Sequence, residues 1–160
     1  GQGSKGVVLI YTAEELASCP TGLVWQSYLL PDDEEYTCPV YSSSKTGPYV
    51  LLMKRKLVGG LTGSGAVVEC PEIDKYVRKI LECMRLDGGI NIQLRLTEMG
   101  PLLFEINPRL SSTVVFRNKM GFTDVRWWLA DKLGLENPPY SAPKAGTRFY
   151  HGSHEYIHTP

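Results

Sequence analysis

Glu105 and Asn107 stand two residues apart, and so do Asn91 and Gln93 some fifteen residues earlier. A spacing of two puts side chains on one face of a β-strand. Both neighbourhoods alternate as strands do. Over 90–97, Ile90, Ile92, Leu94 and Leu96 oppose Asn91, Gln93, Arg95 and Thr97; over 101–107, Leu102, Phe104 and Ile106 oppose Leu103, Glu105 and Asn107. If Glu98-Met99-Gly100 is a three-residue hairpin loop with Gly100 left-handed, Gln93 falls opposite Glu105 and Asn91 opposite Asn107. Directly opposed Cβ atoms are about 5 Å apart. Gln93, Glu105 and Asn107 then form one cluster of oxygen ligands. A carboxylate beside carboxamide oxygens suits a hard cation, Mg²⁺ or Mn²⁺, whose shell is completed by water and phosphate oxygens.

Arg109 follows Asn107-Pro108, where the chain leaves the strand for a helix. A guanidinium there can grip phosphate oxygens bidentately, with hydroxyls from Ser111 and Ser112 and the N–H groups of a helix start beside it. Taken singly, these residues have plainer readings: Asn107-Pro108 as a turn, Glu105 and Arg109 as a surface ion pair, Ser111 or Ser112 as a helix cap. With Gln93 in register they read together as a metal and phosphate site. Gly1-Gln2-Gly3-Ser4-Lys5-Gly6 is a second candidate phosphate element, since its glycines let backbone N–H groups approach an anion and Lys5 adds charge. It matches neither the Walker pattern nor GxGxxG, and a plain turn before a strand remains open.

The elements that must position these groups alternate between strand and helix, an α+β outline. An apolar run over 7–11 leads to Thr12, placed to cap a short acidic helix. Strand patterns follow over 23–30, Glu35–Ser42 and 49–57. The glycine-rich stretch 59–65 reads as a wide turn without a catalytic role. Pro71 opens an amphipathic helix carrying Ile73, Val77, Ile80, Leu81 and Met84 at helical spacing, ended by Asp87-Gly88-Gly89. After the alternating hairpin come helices over 112–120 and 123–133, the second turning Val125, Trp128, Leu129 and Leu133 inward. A proline-marked linker leads to a short strand near 147–150 and a tail that frays. Lys54-Arg55-Lys56 reads as a solvated face, or, in a nucleotide site, as charge aimed at phosphate or an acidic substrate. His151, His154 and His158 do not read as a metal site, and Trp127-Trp128 reads as helix packing.

Composition narrows the function. Seventeen basic residues balance seventeen acidic ones among 160, so no global field draws nucleic acid or an anionic membrane. The apolar runs fall far short of the roughly 20 residues a membrane span needs, and the first residues do not form a signal peptide. The expected place is the cytoplasm. Four cysteines without a CxxC pair predict free, mostly buried thiols rather than zinc or disulfides.

Glu105-Ile106-Asn107-Pro108-Arg109, preceded by Gly89-Ile90-Asn91-Ile92-Gln93 on a hairpin, resembles the carboxy-terminal half of the ATP-grasp ligases, especially their carbamoyl-phosphate-synthase-like branch. The resemblance covers roughly 1–134. It implies an ATP-grasp fold of antiparallel sheets flanked by helices, incomplete at the N-terminus, with residues 1–135 in that domain and 136–160 as linker and tail. By resemblance, Ser4, Lys5 and Gly6 belong to a glycine-rich loop over the phosphates. Gln26, Ser27, Tyr28 and Leu29 match the hinge against which adenine stacks, Gln26 standing where an acidic residue is common. Glu35 matches the residue that binds the ribose hydroxyls. Gln93, Glu105 and Asn107 match the metal-side positions, Glu105 bridging two Mg²⁺ ions, and Arg109 matches the catalytic contact to the terminal phosphates.

The implied chemistry is phosphorylation of a carboxylate or bicarbonate by ATP, followed by attack of an amine or ammonia on the acyl phosphate. Phosphoryl transfer asks chiefly for positioning and charge neutralisation, which metals and an arginine supply. Members of the family also carry an amino-terminal domain and a phosphate-binding lysine ahead of the glycine-rich loop. The expectation is therefore a fragment, or a split-gene product needing a partner chain, inactive by itself. The rival expectation is a non-catalytic module that keeps the fold for nucleotide sensing or assembly. The acceptor carboxylate and the amine are not legible.

Overall fold

The computed structural model describes residues 6–152 and 156–160; Ser4, Lys5 and His154 lie outside them. The elements, in chain order, are α1 (Ala13–Ala17), β1 (Glu35–Ser42), β2 (Tyr49–Val50), β3 (Met53–Val58), β4 (Leu61–Val67), α2 (Pro71–Glu82), β5 (Gly88–Thr97), β6 (Gly100–Asn107), α3 (Val114–Lys119), α4 (Asp124–Leu133), β7 (Arg148–Tyr150) and β8 (Tyr156–His158). The strands form one antiparallel sheet in the order β6-β5-β1-β3-β4-β7-β8, with β2 also on β1. No helix among the described residues is long and apolar enough to cross a membrane.

The strand period of two gives each face its own content. Tyr36, Cys38 and Val40 of β1 and Ile90, Ile92 and Leu94 of β5 point to one side, where α2 lays Ile73 and Val77 over them. Pro71 starts that helix at a position where its missing N–H costs nothing. On the other side Tyr41, Met53, Val67 and Phe149 meet Phe116 and Met120 from α3 and its cap, Phe122, and Trp127 of α4. That second face is only partly apolar. Its remainder carries Glu35, Thr37, Arg55, Asn91, Gln93 and Arg95, and the site lies there.

Local chemistry explains most element ends. Thr12 caps α1 through its hydroxyl on the Glu15 amide, and the Glu15 carboxylate accepts from the Thr12 amide, each at 3.2 Å. β1 spans Glu35–Ser42, as its pattern predicts. The 49–57 pattern divides into β2 and β3. The 59–65 stretch is not a wide turn. Gly59 and Gly60, at φ 60° and 80°, make a two-residue turn of the primed kind that suits hairpin twist, and β4 begins at Leu61.

Four other expectations give way. Residues 23–30 join no strand, and all but Leu29 are exposed. On α4 it is Asp124, Trp127 and Ala130 that are buried, while Trp128, Leu129 and Leu133 face outward. Among the four free thiols only Cys38 is buried, and burial pushes its pKa far up. The tail pairs as β8 on β7 rather than fraying.

Gly65 marks a close approach of β4 to its neighbours. A Cβ built there falls on the Lys54 carbonyl oxygen and 2.5 Å from the Phe149 ring. Gly65→Ala is expected to cost about 1–3 kcal/mol as overpacking, read as a lower melting temperature. An unchanged one would mean that β3 and β7 move apart freely.

Candidate functional site

The β5–β6 hairpin sets the candidate metal ligands side by side. Gln93 pairs with Glu105, and Asn91 with Asn107. The route to that register differs from the one the loop predicts. Thr97 pairs with Gly100, so the turn holds two residues, and an irregularity beyond Gln93/Leu94 takes up the odd residue on β6. Turn and bulge shift the register in opposite senses and cancel. The bulge also moves Leu103, which pairs with Leu94 and packs on the apolar core with Ile106, away from the polar face.

Glu105 is exposed and Asn107 nearly buried, and among the described residues neither side chain has a hydrogen-bond partner. Their oxygens are available to a cation. Asn91 is wholly buried; its Oδ1 accepts from the Thr37 hydroxyl at 2.9 Å and its Nδ2 has no partner. Gln93 is differently placed, because its Oε1 accepts from Arg55 at 2.5 Å. An amide oxygen retains a second lone pair. One carboxylate with carboxamides fits Mg²⁺, which takes few protein oxygens and retains water. No group of three or more His, Cys, Asp or Glu side chains that could hold a metal ion occurs among the described residues.

Arg55 is the residue sequence reasoning placed least well. Of the run Lys54-Arg55-Lys56 it is the buried member, 9% exposed. Its parity with the core residue Met53 on β3 is the signal that could have turned it inward. It donates from Nε and Nη2 to Glu35 Oε1 at 2.9 and 2.6 Å, and from Nη1 to the Thr62 hydroxyl at 3.3 Å. Glu35, the candidate ribose residue, gives its other oxygen to Arg95 at 3.0 Å. Both of its carboxylate oxygens are thus engaged by guanidinium groups. Lys54 pairs with Glu34 instead, and that hydrogen bond holds the Glu34 carboxyl below the ordinary carboxylate range.

Gln26, Ser27 and Tyr28 are exposed and Leu29 half-buried in the unpaired stretch leading to β1. Arg95 reaches this stretch from the sheet, and the Tyr28 hydroxyl bonds to Asp32, the chief cause of its raised pKa. Gly6, the described member of the glycine-rich element, has φ 76°. Beyond β6 the Arg109 amide donates to the Asn107 carbonyl at 2.8 Å, a γ-turn closure that swings Arg109 out of the sheet. Its side chain is exposed, with Nη1 on the Leu110 carbonyl at 3.1 Å. Ser111 is not open to an anion: buried, it accepts from Arg117 at 2.8 Å and bonds to Thr113. Ser112 remains exposed.

A family model described as "ATP-grasp in the biosynthetic pathway with Ter operon" matches residues 21–154. Carnosine synthase 1 of Homo sapiens is 35% identical over 75 residues, 47% of this chain and 8% of that protein. The phosphoribosylaminoimidazole carboxylase ATPase subunit from Aquifex aeolicus superposes on 74% of this chain, with a TM-score of 0.57 at 15% identity, using 38% of its own length. N5-carboxyaminoimidazole synthetase from Staphylococcus aureus, complexed with ADP, gives 0.59 at 13% identity over 78% of this chain and 35% of its own. The chain thus spans a small part of the curated relative and little more than a third of either solved structure. At these identities the structural likeness concerns the fold.

Proposed function

The chain belongs to the ATP-grasp family, and from that premise we propose that it is the nucleotide- and metal-binding part of an ATP-dependent ligase joining a carboxylate, or bicarbonate, to an amine or ammonia. What carries this reading is the pairing of Gln93 with Glu105 and Asn91 with Asn107 on one sheet face, with Arg109 two residues beyond. The names of the relatives, a carnosine synthase and a carboxyaminoimidazole synthetase complexed with ADP, point the same way.

Glu105 and Asn107 would hold Mg²⁺, with Gln93 as a third oxygen donor. When bound, the metal would neutralise charge on the phosphates during transfer. Arg109, exposed at the strand end, binds the terminal phosphate and stabilises the charge that develops on it. Ser4, Lys5 and Gly6 would bind the phosphates. Gln26, Ser27, Tyr28 and Leu29 form the base side, and Glu35 lies on the ribose side. The γ-phosphoryl group moves from ATP to a carboxylate oxygen, leaving ADP and an acyl phosphate. The amine nitrogen then attacks the acyl carbon, phosphate leaves, and the nitrogen loses a proton.

Calorimetric titration of this chain with ATP, first in Mg²⁺ and then in EDTA, tests the reading. Binding that requires Mg²⁺ is expected, and binding indifferent to EDTA would remove the metal assignment. No binding by a folded chain would mean that these residues do not assemble the site. Arg109→Ala is expected to weaken ATP by about tenfold or more, the scale of a hydrogen bond to a charged group, with adenosine affinity unchanged. Equal losses for both ligands would make Arg109 structural.

A further inference from the structure

The stretch 20–33 has no strand partner, and among the described residues the hydrogen bonds that fasten it to the sheet all leave one side chain, Arg95. Nη1 of Arg95 donates to the Leu29 carbonyl and, at 3.0 Å, to Asp32 Oδ1. The guanidinium carbon lies 5.7 Å from the centre of the Tyr28 ring, within reach of a cation–π contact. Tyr28, in turn, is bonded to Asp32. Arg95 therefore touches three of the five residues from Tyr28 to Asp32.

The guanidinium is also braced from the sheet side. Arg95 sits on β5 directly opposite Glu35 on β1, and its Nη2 donates to Glu35 Oε2 at 3.0 Å. Glu35 is pinned from the other side by Arg55. Side-chain exposure is 12% for Arg95 and 11% for Glu35. A buried, doubly braced carboxylate holds one arm of the guanidinium through Nη2, and the other arm, Nη1, then holds an otherwise unpaired segment. That segment carries exposed Trp25 and Tyr28 and the backbone groups of 26–29.

We propose that Arg95 is a positioning residue that holds the segment 26–32 in place and thereby sets affinity for the nucleobase, without itself touching the phosphates. The proposal rests on the nucleotide reading above. Arg95→Met leaves the Leu29 carbonyl without its donor and Asp32 with Tyr28 alone, so the segment loses its tie to the sheet and the base side loosens while the Glu105–Asn107 side does not.

Calorimetry with Mg·ATP and with Mg·tripolyphosphate, joined to limited chymotrypsin digestion after the exposed Trp25 and Tyr28, separates the outcomes. Arg95→Met is expected to weaken ATP by at least about tenfold, to leave tripolyphosphate within about twofold, and to speed chymotryptic cleavage after Trp25 and Tyr28. Arg95→Lys, which retains the charge but not the fork, is expected to lose about three- to tenfold for ATP, and it carries the test if Arg95→Met does not fold. Unchanged ATP affinity would overturn the proposal. So would equal losses for ATP and tripolyphosphate, the mark of a merely structural residue. If the unsubstituted chain binds tripolyphosphate but not ATP, the base-side role falls. If it binds neither, the nucleotide reading falls, and unchanged cleavage in Arg95→Met would separately show that Arg95 does not hold the segment.

Discussion

Glu105→Gln is expected to bring ATP affinity in Mg²⁺ down to the value measured in EDTA, a loss of at least about a hundredfold. Disturbing even the outer contacts of a metal site typically costs 10–100-fold in affinity, and here the only carboxylate of the proposed ligand set loses its charge. Gln93 and Asn107 bring dipoles, not charge, so neither of them replaces it. The substitution is nearly isosteric and lies at an exposed position, where stability changes usually stay within about 0.5 kcal/mol. A melting curve identical to that of the unsubstituted chain should therefore accompany the loss. Calorimetry in Mg²⁺ and in EDTA reads the effect directly. Retained Mg²⁺-dependent affinity would remove Glu105 as a ligand and leave the polar face to another purpose.

Much of that face was legible from spacing. The alternation of Ile90, Ile92 and Leu94 with Asn91 and Gln93 assigns β5 its two faces, and parity about the turn pairs Gln93 with Glu105. The pairing is right although the loop was not, because a shorter turn and a bulge offset each other. A bulge leaves no mark in a hydrophobic pattern, so Leu103 was assigned to the wrong face. α4 failed for a different reason. Val125, Trp127, Trp128, Leu129 and Leu133 surround the helix, and periodicity cannot choose a stripe when apolar residues occupy most of the circumference. Packing chose Trp127, whose ring meets Tyr41, Tyr49, Phe122 and Tyr140. The arginines were least legible. Arg55, Arg95 and Arg117 are charged residues that composition sends to the surface, and only their acidic partners, distant in sequence or across a turn, explain their burial.

Arg117→Met is expected to destabilise the chain by about 3–5 kcal/mol, the usual cost of leaving one member of a buried ion pair alone. Arg117 is 1% exposed and Asp124 2%. The guanidinium donates to Asp124 Oδ2 from Nε at 3.1 Å and from Nη2 at 2.5 Å, and to the hydroxyls of Ser111 and Thr113 at 2.8 and 3.2 Å from Nη1. Methionine fills much of the volume but none of those roles, so a carboxylate and two hydroxyls lose their donor away from water. Against a typical total stability of about 5–15 kcal/mol, the loss should show plainly as a lower urea midpoint with an unchanged slope. Arg117→Met with Asp124→Asn removes the stranded charge and should recover part of it; additive losses would show that the pair is not coupled. The same guanidinium joins α3 and α4 to the stretch Ser111-Ser112-Thr113, just past Arg109. If Arg109 binds phosphate as proposed, ATP affinity in Arg117→Met should accordingly fall even where the chain remains folded, because the stretch that follows Arg109 loses its buried donor. A change in stability below about 1 kcal/mol, with ATP affinity intact, would place the support of that loop elsewhere.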